Sequence, residues 1–295
     1  MPINYAQEYK AGLNQPFKEG LKTIDLFNSC EKYEFLNAKT INIPTLSMTG
    51  FRNHGRGNAI QVADDYDNDY VPMKLEHDRS KFLLADPKDI DETNMARSIA
   101  NLTRVFNTEH KIPEIDSYTL STLYQKAVKA GVSPDTTELT KANFLDKFDD
   151  LMEAMDDGEV PSEGRICYVT PKTYKLMKQC EGLSRVLQVG KGETEVKRSV
   201  YGLDDVKFVK VPASRMKSKY TFSNEAGYTV ASDAVQIEML MVHPKATVNV
   251  ISLDQALLDE PKATTSGKYA WFERTYMDSF VLDNRKAGIA VVTSA

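Results

Sequence analysis

The stretch SMTGFRNHGRGNAIQVADDYDNDYVPMKLEHDRS, residues 47–80, decides how this chain is read. It carries three glycines, five aspartates and few large aliphatic residues. A polar segment of this length inside a compact domain is functional, is an extended hairpin, or argues against its assignment as a loop. Counted from Asp65, its acids Asp65, Asp67, Asp69 and Glu76 take positions 1, 3, 5 and 12 of a D-x-[DN]-x-[DN]-G-x5-E calcium loop. The sharp turn at position 6 needs Gly, and the residue there is Tyr70; position 8 is Pro72. Neither flank has a helical stripe, so the run reads as a solvated acidic segment and not as a metal site.

On the N-terminal side, residues 1 to about 30 are mixed and Asn-rich and read as an arm. EFLNAKTINIPTL then alternates Ile41 and Ile43 with polar residues, a short strand expected to stop at Pro44. On the C-terminal side, Met95, Ile99, Leu102 and Phe106 recur on one helical face, behind the helix-opening acids Asp89, Asp91 and Glu92. Pro113 interrupts, and PEIDSYTLSTLYQKAVKAG continues either as a second helix with Pro113 at its first turn or as one kinked spine. TKANFLDKFDDLMEAMDDG is the clearest helix, with Thr140 expected as its N-cap and Gly158 as its terminator. RICYVT reads as a strand and PKTYKLMKQC as a short helix opened by Thr170 and Pro171. DDVKFVKVP, ATVNVISL, KYAWFERTYMDSF and IAVV favour strands, and VLDNRKAGIAVV a closing hairpin. The order of elements is that of an α+β fold, without the regular alternation of a doubly wound parallel sheet.

The 295 residues suffice for one large domain or two modest ones, and 41% hydrophobic against 27% charged residues marks a folded chain. No apolar run is long enough for a membrane span, and the N-terminus has no signal-peptide core. A net charge of −5 with no basic block argues against tight nucleic-acid binding. Cys30, Cys167 and Cys180 are widely spaced and read as reduced thiols, and the four histidines fit no metal-ligand spacing. The acids around Asp86 are better explained as helix-opening residues than as a carboxylate metal site. QVGKGETEVKRS lacks the G-x-x-x-x-G-K-[ST] of a phosphate loop. No catalytic, cofactor or metal site is expected, and the chain is not read as an enzyme.

Four stretches together resemble the major capsid proteins of tailed bacteriophages, which share the Hong Kong 97-type fold. NAKTINIPTLSMTG is similar to the strand that enters the family's extended E-loop. HDRSKFLLADPKDIDETN with IPEIDSYTLSTLY is similar to the return from that loop and the spine helix. VPSEGRICYVTPKTYKLM is similar to the entry to the axial domain, and WFERTYMDSFVLDNRKAGIAVV to the C-terminal peripheral strands.

The resemblance implies an N-terminal arm at 1–34, an E-loop hairpin at 35–85 and a peripheral domain with spine helix at 86–139. It further implies an axial domain at 140–250 and peripheral C-terminal strands at 251–295. It implies a shell of pentamers and hexamers around double-stranded DNA held without sequence-specific binding, and no membrane. A separate scaffolding protein is expected because the E-loop strand begins within about 40 residues; portal and possible decoration proteins are further expected partners. Expected subunit contacts are Asp65, Asp67, Asp69, Lys74, Arg79, Glu114, Arg165 and Trp271, in a virion assembled in the host bacterial cytoplasm. An encapsulin-type compartment of the same fold, or an unrelated cytoplasmic α+β enzyme, are the alternative readings.

Overall fold

The computed structural model describes residues 20–28, 34–37, 40–48, 50, 66–88, 103–180, 202–223 and 227–294. The helix expected around Met95 and Ile99, most of the loop tip, and the glycine-rich run after Cys180 lie outside them. Three sheets and a long helix organise what is described. The first sheet is β1 (Glu34–Asn37), β2 (Thr40–Met48) and β3 (Tyr66–Lys74), in that order and antiparallel. Residues 66–74 of the acidic run are therefore a strand paired with β2, and not the compact loop that calcium coordination needs.

Pro44 does not end β2, contrary to the sequence reading. The pairs Pro44–Tyr70 and Asn42–Pro72 sit two steps apart on the β2–β3 ladder and so are of the same kind. In pairs of the non-hydrogen-bonded kind neither residue spends its N–H on the partner strand. One register thus accommodates both prolines. Among the described residues β1 pairs with β2 only as far as Asn42, and none pairs with Pro44 on that side.

β4 (His77–Ala85), β11 (Thr247–Asp259) and β12 (Tyr269–Val281) form the second sheet, ordered β11–β12–β4. The third sheet runs β13–β10–β5–β7–β6, built from β5 (Ile166–Val169), β6 (Gly202–Leu203), β7 (Val206–Lys210), β10 (Ile237–Val242) and β13 (Ile289–Thr293). A small hairpin, β8 (Tyr220–Phe222) with β9 (Tyr228–Val230), completes the strands.

The third sheet is covered on both faces, which is why its strands read as continuous apolar runs. Ile166, Tyr168, Leu240, Val242, Ile289 and Val291 meet Leu120, Leu123 and Ala127 of the spine helix. The alternate residues Cys167, Val169, Met239, Met241, Ala290 and Val292 meet Phe144, Phe148 and Met155 of a second helix. Strand parity slips once, between Ile237 and Met239, at a break in the ladder. That break lets Ile237 share the spine side with Leu240.

The spine, α2, is Ile112–Lys129; a one-turn α1, Ile24–Asn28, precedes it. Helical turns from Thr103 run into α2 through a π turn at Asn107–Lys111. The spine is thus one continuous helix through Pro113. Proline lacks an N–H and crowds the carbonyl four residues back, and the wider π turn directly before it relieves that clash. α3 is Phe144–Asp157 and α4 is Pro171–Met177. Thr170 caps α4 as expected, its hydroxyl accepting from Thr173 N. α3 ends where expected, with Gly158 as its C-cap, and departs from expectation at its start. Its N-cap is Asn143, which exchanges hydrogen bonds with Thr140. At the other end the left-handed turn falls on Glu159, at φ +55°, and not on Gly158. Gly158 serves packing, because a Cβ there would lie 2.5 Å from that of Ala287.

The final segment also differs from the sequence reading. β12 and β13 belong to different sheets, joined by a 3-10 turn at Asp283–Gly288, so no closing hairpin forms. The expected boundary at 250/251 falls inside β11, and Ile289–Thr293 completes the third sheet.

A buried carboxylate fastens the start of the described chain to the spine. Asp116, on α2, accepts from the backbone N–H groups of Lys22 and Thr23, from the Thr23 hydroxyl and from Arg215. Burial pushes its pKa up, and the Thr23 bonds and the Arg215 charge oppose that shift. Replacing Asp116 with Ala strands these donors; the expected loss is about 3 kcal/mol in urea unfolding, with Asp116→Asn losing less.

Candidate assembly surface

The β2–β3 hairpin meets the body through a short apolar root. Ile41 and Leu75 pack with Val248, Val250, Tyr276 and Phe280, and Ile43 and Met73 join from the arm. Two hydrogen bonds fix where the chain leaves β3. The Tyr276 hydroxyl donates to the Leu75 carbonyl at 2.9 Å, and Glu76 N–H donates to Asp278 Oδ2 at 3.0 Å. Asp278 is 1% exposed. Its other oxygen accepts from the Tyr118 hydroxyl at 3.1 Å and from Lys126 at 2.9 Å, both on the spine. Burial, and next the Asp278 charge, drive the Tyr118 phenol pKa upward, so it stays a donor. Lys126 also lies 4.0 Å from the centre of the Phe280 ring.

From this root β4 runs along β12, and its two faces differ. The odd residues face the spine: His77 stacks on Tyr118 with ring centres 3.8 Å apart, and Arg79 pairs with Glu114 at 2.8 Å. Arg79 also donates to the carbonyls of Ser223 and Gly227, tying in the β8–β9 hairpin. The even residues face solvent. Phe82 is 59% exposed and Leu84 is also exposed. Phe82 sits opposite Phe272, which sits opposite the exposed Leu257, so one apolar row crosses all three strands.

The arm carries a second exposed apolar set. Leu46 is 64% and Met48 73% exposed, and Tyr70 is exposed too. The ladder pairs Pro44–Tyr70, Leu46–Asn68 and Met48–Tyr66 put these three residues on one face of the hairpin. Apolar side chains gathered on an exposed face lower the free energy once something covers them.

The residues expected at subunit contacts fall into three groups. Asp65 lies outside the described residues; Asp67 and Asp69 lie on β3 opposite Ser47 and Thr45, and Lys74 is exposed at the arm's root. Arg79 and Glu114 come together, but with each other and inside one chain. Arg165 and Trp271 are turned inward. The Arg165 guanidinium is fully buried, held by Asp156 and by the carbonyls of Val160 and Pro161. Trp271 packs edge-on against Phe106. In this fold neither has surface to offer a neighbour. Sequence reasoning missed Phe82, Leu84, Leu46 and Met48. The alternation in HDRSKFLLA, with Phe82 and Leu84 in phase with Asp78 and Ser80, was the available signal for the first two.

Among the described residues no three His, Cys, Asp or Glu side chains gather as a metal site. Burial pushes the Cys167 thiol well above its ordinary range, and Cys180 is buried as well. No described helix is long and apolar enough to cross a membrane.

His77 gives the arm's root a pH dependence. Burial, and next the Arg79 charge, lower its pKa to about 4, with Asp78 opposing; Glu114 lies 3.6 Å away and Tyr118 and Phe222 pack on the ring. The folded chain keeps this ring neutral while the unfolded chain protonates it below about pH 6.5. The resulting stability is full above pH 6.5 and is lost as pH falls toward 4, roughly 2–3 kcal/mol between pH 7 and 4.5. The pKa of Glu114 is raised, mainly by burial, and acts in the opposite direction. Urea melts at both pH values should show a smaller acid-side loss in His77→Phe than in the unaltered chain.

No protein-family model and no curated protein matches the sequence. Solved structures do share its fold. The mature capsid of bacteriophage PhiM1 superposes with a TM-score of 0.64 at 14% identity, over 87% of this chain and 82% of that one. The capsid of cyanophage P-SCSP1u gives 0.57 at 14% identity, over 87% and 84%. A virus-like particle from Pyrococcus furiosus gives 0.53 at 10% identity, over 98% and 100%. The α+β architecture is therefore one found in tailed-phage capsids and in an archaeal particle.

Proposed function

We propose that this chain is a major capsid protein, assembling as pentamers and hexamers into the icosahedral head of a tailed bacteriophage around double-stranded DNA. The observation that carries the reading is the arm: a hairpin rooted in the core whose outer half bears exposed apolar residues on one face. A lone soluble subunit gains nothing from such a face, whereas a shell subunit covers it with a neighbour. The apolar row of Phe82, Phe272 and Leu257 is a surface of matching character on that neighbour. The acids Asp65, Asp67 and Asp69 keep the free arm soluble and meet basic residues after docking, with Lys74 at the same contact.

In this reading a separate scaffolding protein guides assembly in the host bacterial cytoplasm, a portal occupies one vertex, a decoration protein is a further partner, and the product is the virion. The domain division follows the arm at 1–34, the E-loop hairpin at 35–85, the spine at 86–139 and the axial segment at 140–250. The C-terminal segment is shared between two sheets. The subunit has no enzymatic task. The likeness to the Pyrococcus furiosus particle over its full length favours a second reading, an encapsulin-type compartment enclosing protein cargo.

Expression alone and with any adjacent scaffold gene, followed by size exclusion and negative-stain microscopy, tests the first claim. Shells or five- and six-membered rings are expected; a compact monomer or dimer under every condition refutes it. Packaged nucleic acid against co-purified protein cargo separates the two shell readings. Leu46→Ser with Met48→Ser should leave a folded chain by circular dichroism but abolish shells. Reversing the charge at Asp65, Asp67 and Asp69 should lower the temperature at which shells fall apart.

A further inference from the structure

Three charged side chains from three elements close on one point beside the start of the spine. Lys111 ends the π turn, Asp254 lies on β11 and Glu273 on β12. Asp254 sits opposite Thr275 on the ladder and Ala256 opposite Glu273, so both acids share one face of the sheet. The Lys111 ammonium donates to Asp254 Oδ1 at 2.6 Å and also to Glu273 Oε1. The same Asp254 oxygen accepts from the Thr275 hydroxyl at 3.2 Å. The side chains of Lys111 and Glu273 are 10% and 4% exposed, and that of Asp254 26%. Phe106, Ile115 and Trp271 wall the cleft that Lys111 and Glu273 line.

This is more than an ion pair needs. One carboxylate neutralises a lysine, and the second is here buried with its Oε2 lacking a hydrogen-bond partner. Burial pushes the Glu273 carboxyl pKa upward, the Lys111 charge and hydrogen bond oppose that, and the Asp254 charge adds to the rise. A carboxyl so placed can take a proton from its neighbour and return it.

The reacting atoms are close. With Nζ 2.6 Å from Oδ1 and a C–O bond of about 1.23 Å, the amine lies within roughly 3.8 Å of Asp254 Cγ. Attack needs about 3–3.5 Å, a small adjustment for a lysine side chain. Burial supplies the driving force. An ammonium and a carboxylate held out of water are each costly, and condensing them to a neutral amide removes both. Asp254, the most exposed of the three, gives the released water a way out.

We propose that Lys111 and Asp254 condense to an isopeptide bond within the subunit, with Glu273 as the proton-carrying catalytic residue. The Lys111 ammonium gives one proton to Glu273. The freed nitrogen lone pair forms the bond to Asp254 Cγ, and a second proton then leaves the nitrogen. Glu273 passes both protons, one at a time, to one Asp254 oxygen, whose bond to Cγ breaks as water departs. Glu273 ends as the carboxylate it began as and accepts from the new amide N–H. No other reactant is consumed, and the reaction happens once per chain. The product is a covalent staple joining the start of the spine to β11 across β12, between positions 143 residues apart. It does not depend on whether the subunit builds a shell.

Intact mass spectrometry on the denatured full-length chain reads the bond directly. The unaltered chain should be lighter than its sequence mass by one water, about 18 Da, and its tryptic digest should hold a branched peptide joining the Lys111 and Asp254 segments. Lys111→Arg should keep its full mass, and Glu273→Gln should form the bond at least about a hundredfold more slowly. An unaltered chain that stays at full mass after prolonged incubation of the folded protein, as subunits and as any shells it forms, overturns the proposal and leaves a buried ion pair only. So does a loss of water that persists in Lys111→Arg or maps to other residues. Bond formation at the unaltered rate in Glu273→Gln overturns the role of Glu273. Should a variant misfold, the mass and branched peptide of the unaltered chain decide alone.

Discussion

Asp278 holds a carboxylate almost wholly out of water at the point where three parts of the molecule meet. An unpaired charge in such a place costs several kcal/mol, so the site survives only if each lone pair finds a donor. The donors come from different parts of the chain: Glu76 N–H from the arm's root, and Tyr118 and Lys126 from the spine. Because β12 carries the acid, arm, sheet and helix are satisfied together or not at all. The arm's pose is therefore set by a polar requirement in the core, and not by the weak preferences of an exposed hairpin.

Asp116 plays the same part for the stretch entering α1, and Arg165 mirrors it with the sign reversed, its cation satisfied by two carbonyls and one acid. The apolar layers give the subunit its bulk stability, and these buried ions fix how the layers are joined. Hydrophobic burial is non-directional. It would tolerate several angles between the spine and the two sheets that it contacts, and the ion sites reject those angles that leave a donor or acceptor unmet.

Much of this was legible in the chain. α3, α4, β5 and the long C-terminal strands follow from periodicity, capping and β-branched content, because one dominant burial pattern governs each. Pro44 misled because proline's cost depends on which strand lies beside it, and pairing is not written locally. The break after Ile237 and the division of β12 from β13 were hidden for the same reason. Arg165 and Trp271 looked like contact residues because a large polar or aromatic side chain reads alike whether its partners lie in its own chain or in another. Apart from the adjacent Ser279 N–H, the partners of Asp278 lie 152 to 202 residues away along the chain, beyond any window of sequence pattern.

Pro72 has a consequence that reaches past the single subunit. Among the described residues β3 is the outer strand of its sheet, and a bare outer strand is a template on which further strands can zip, growing into cross-β fibrils. A proline on that rim removes a backbone donor and interrupts the row. Two copies of the arm at high concentration are thereby steered away from edge-to-edge polymerisation, and what remains for them to offer one another is side-chain surface.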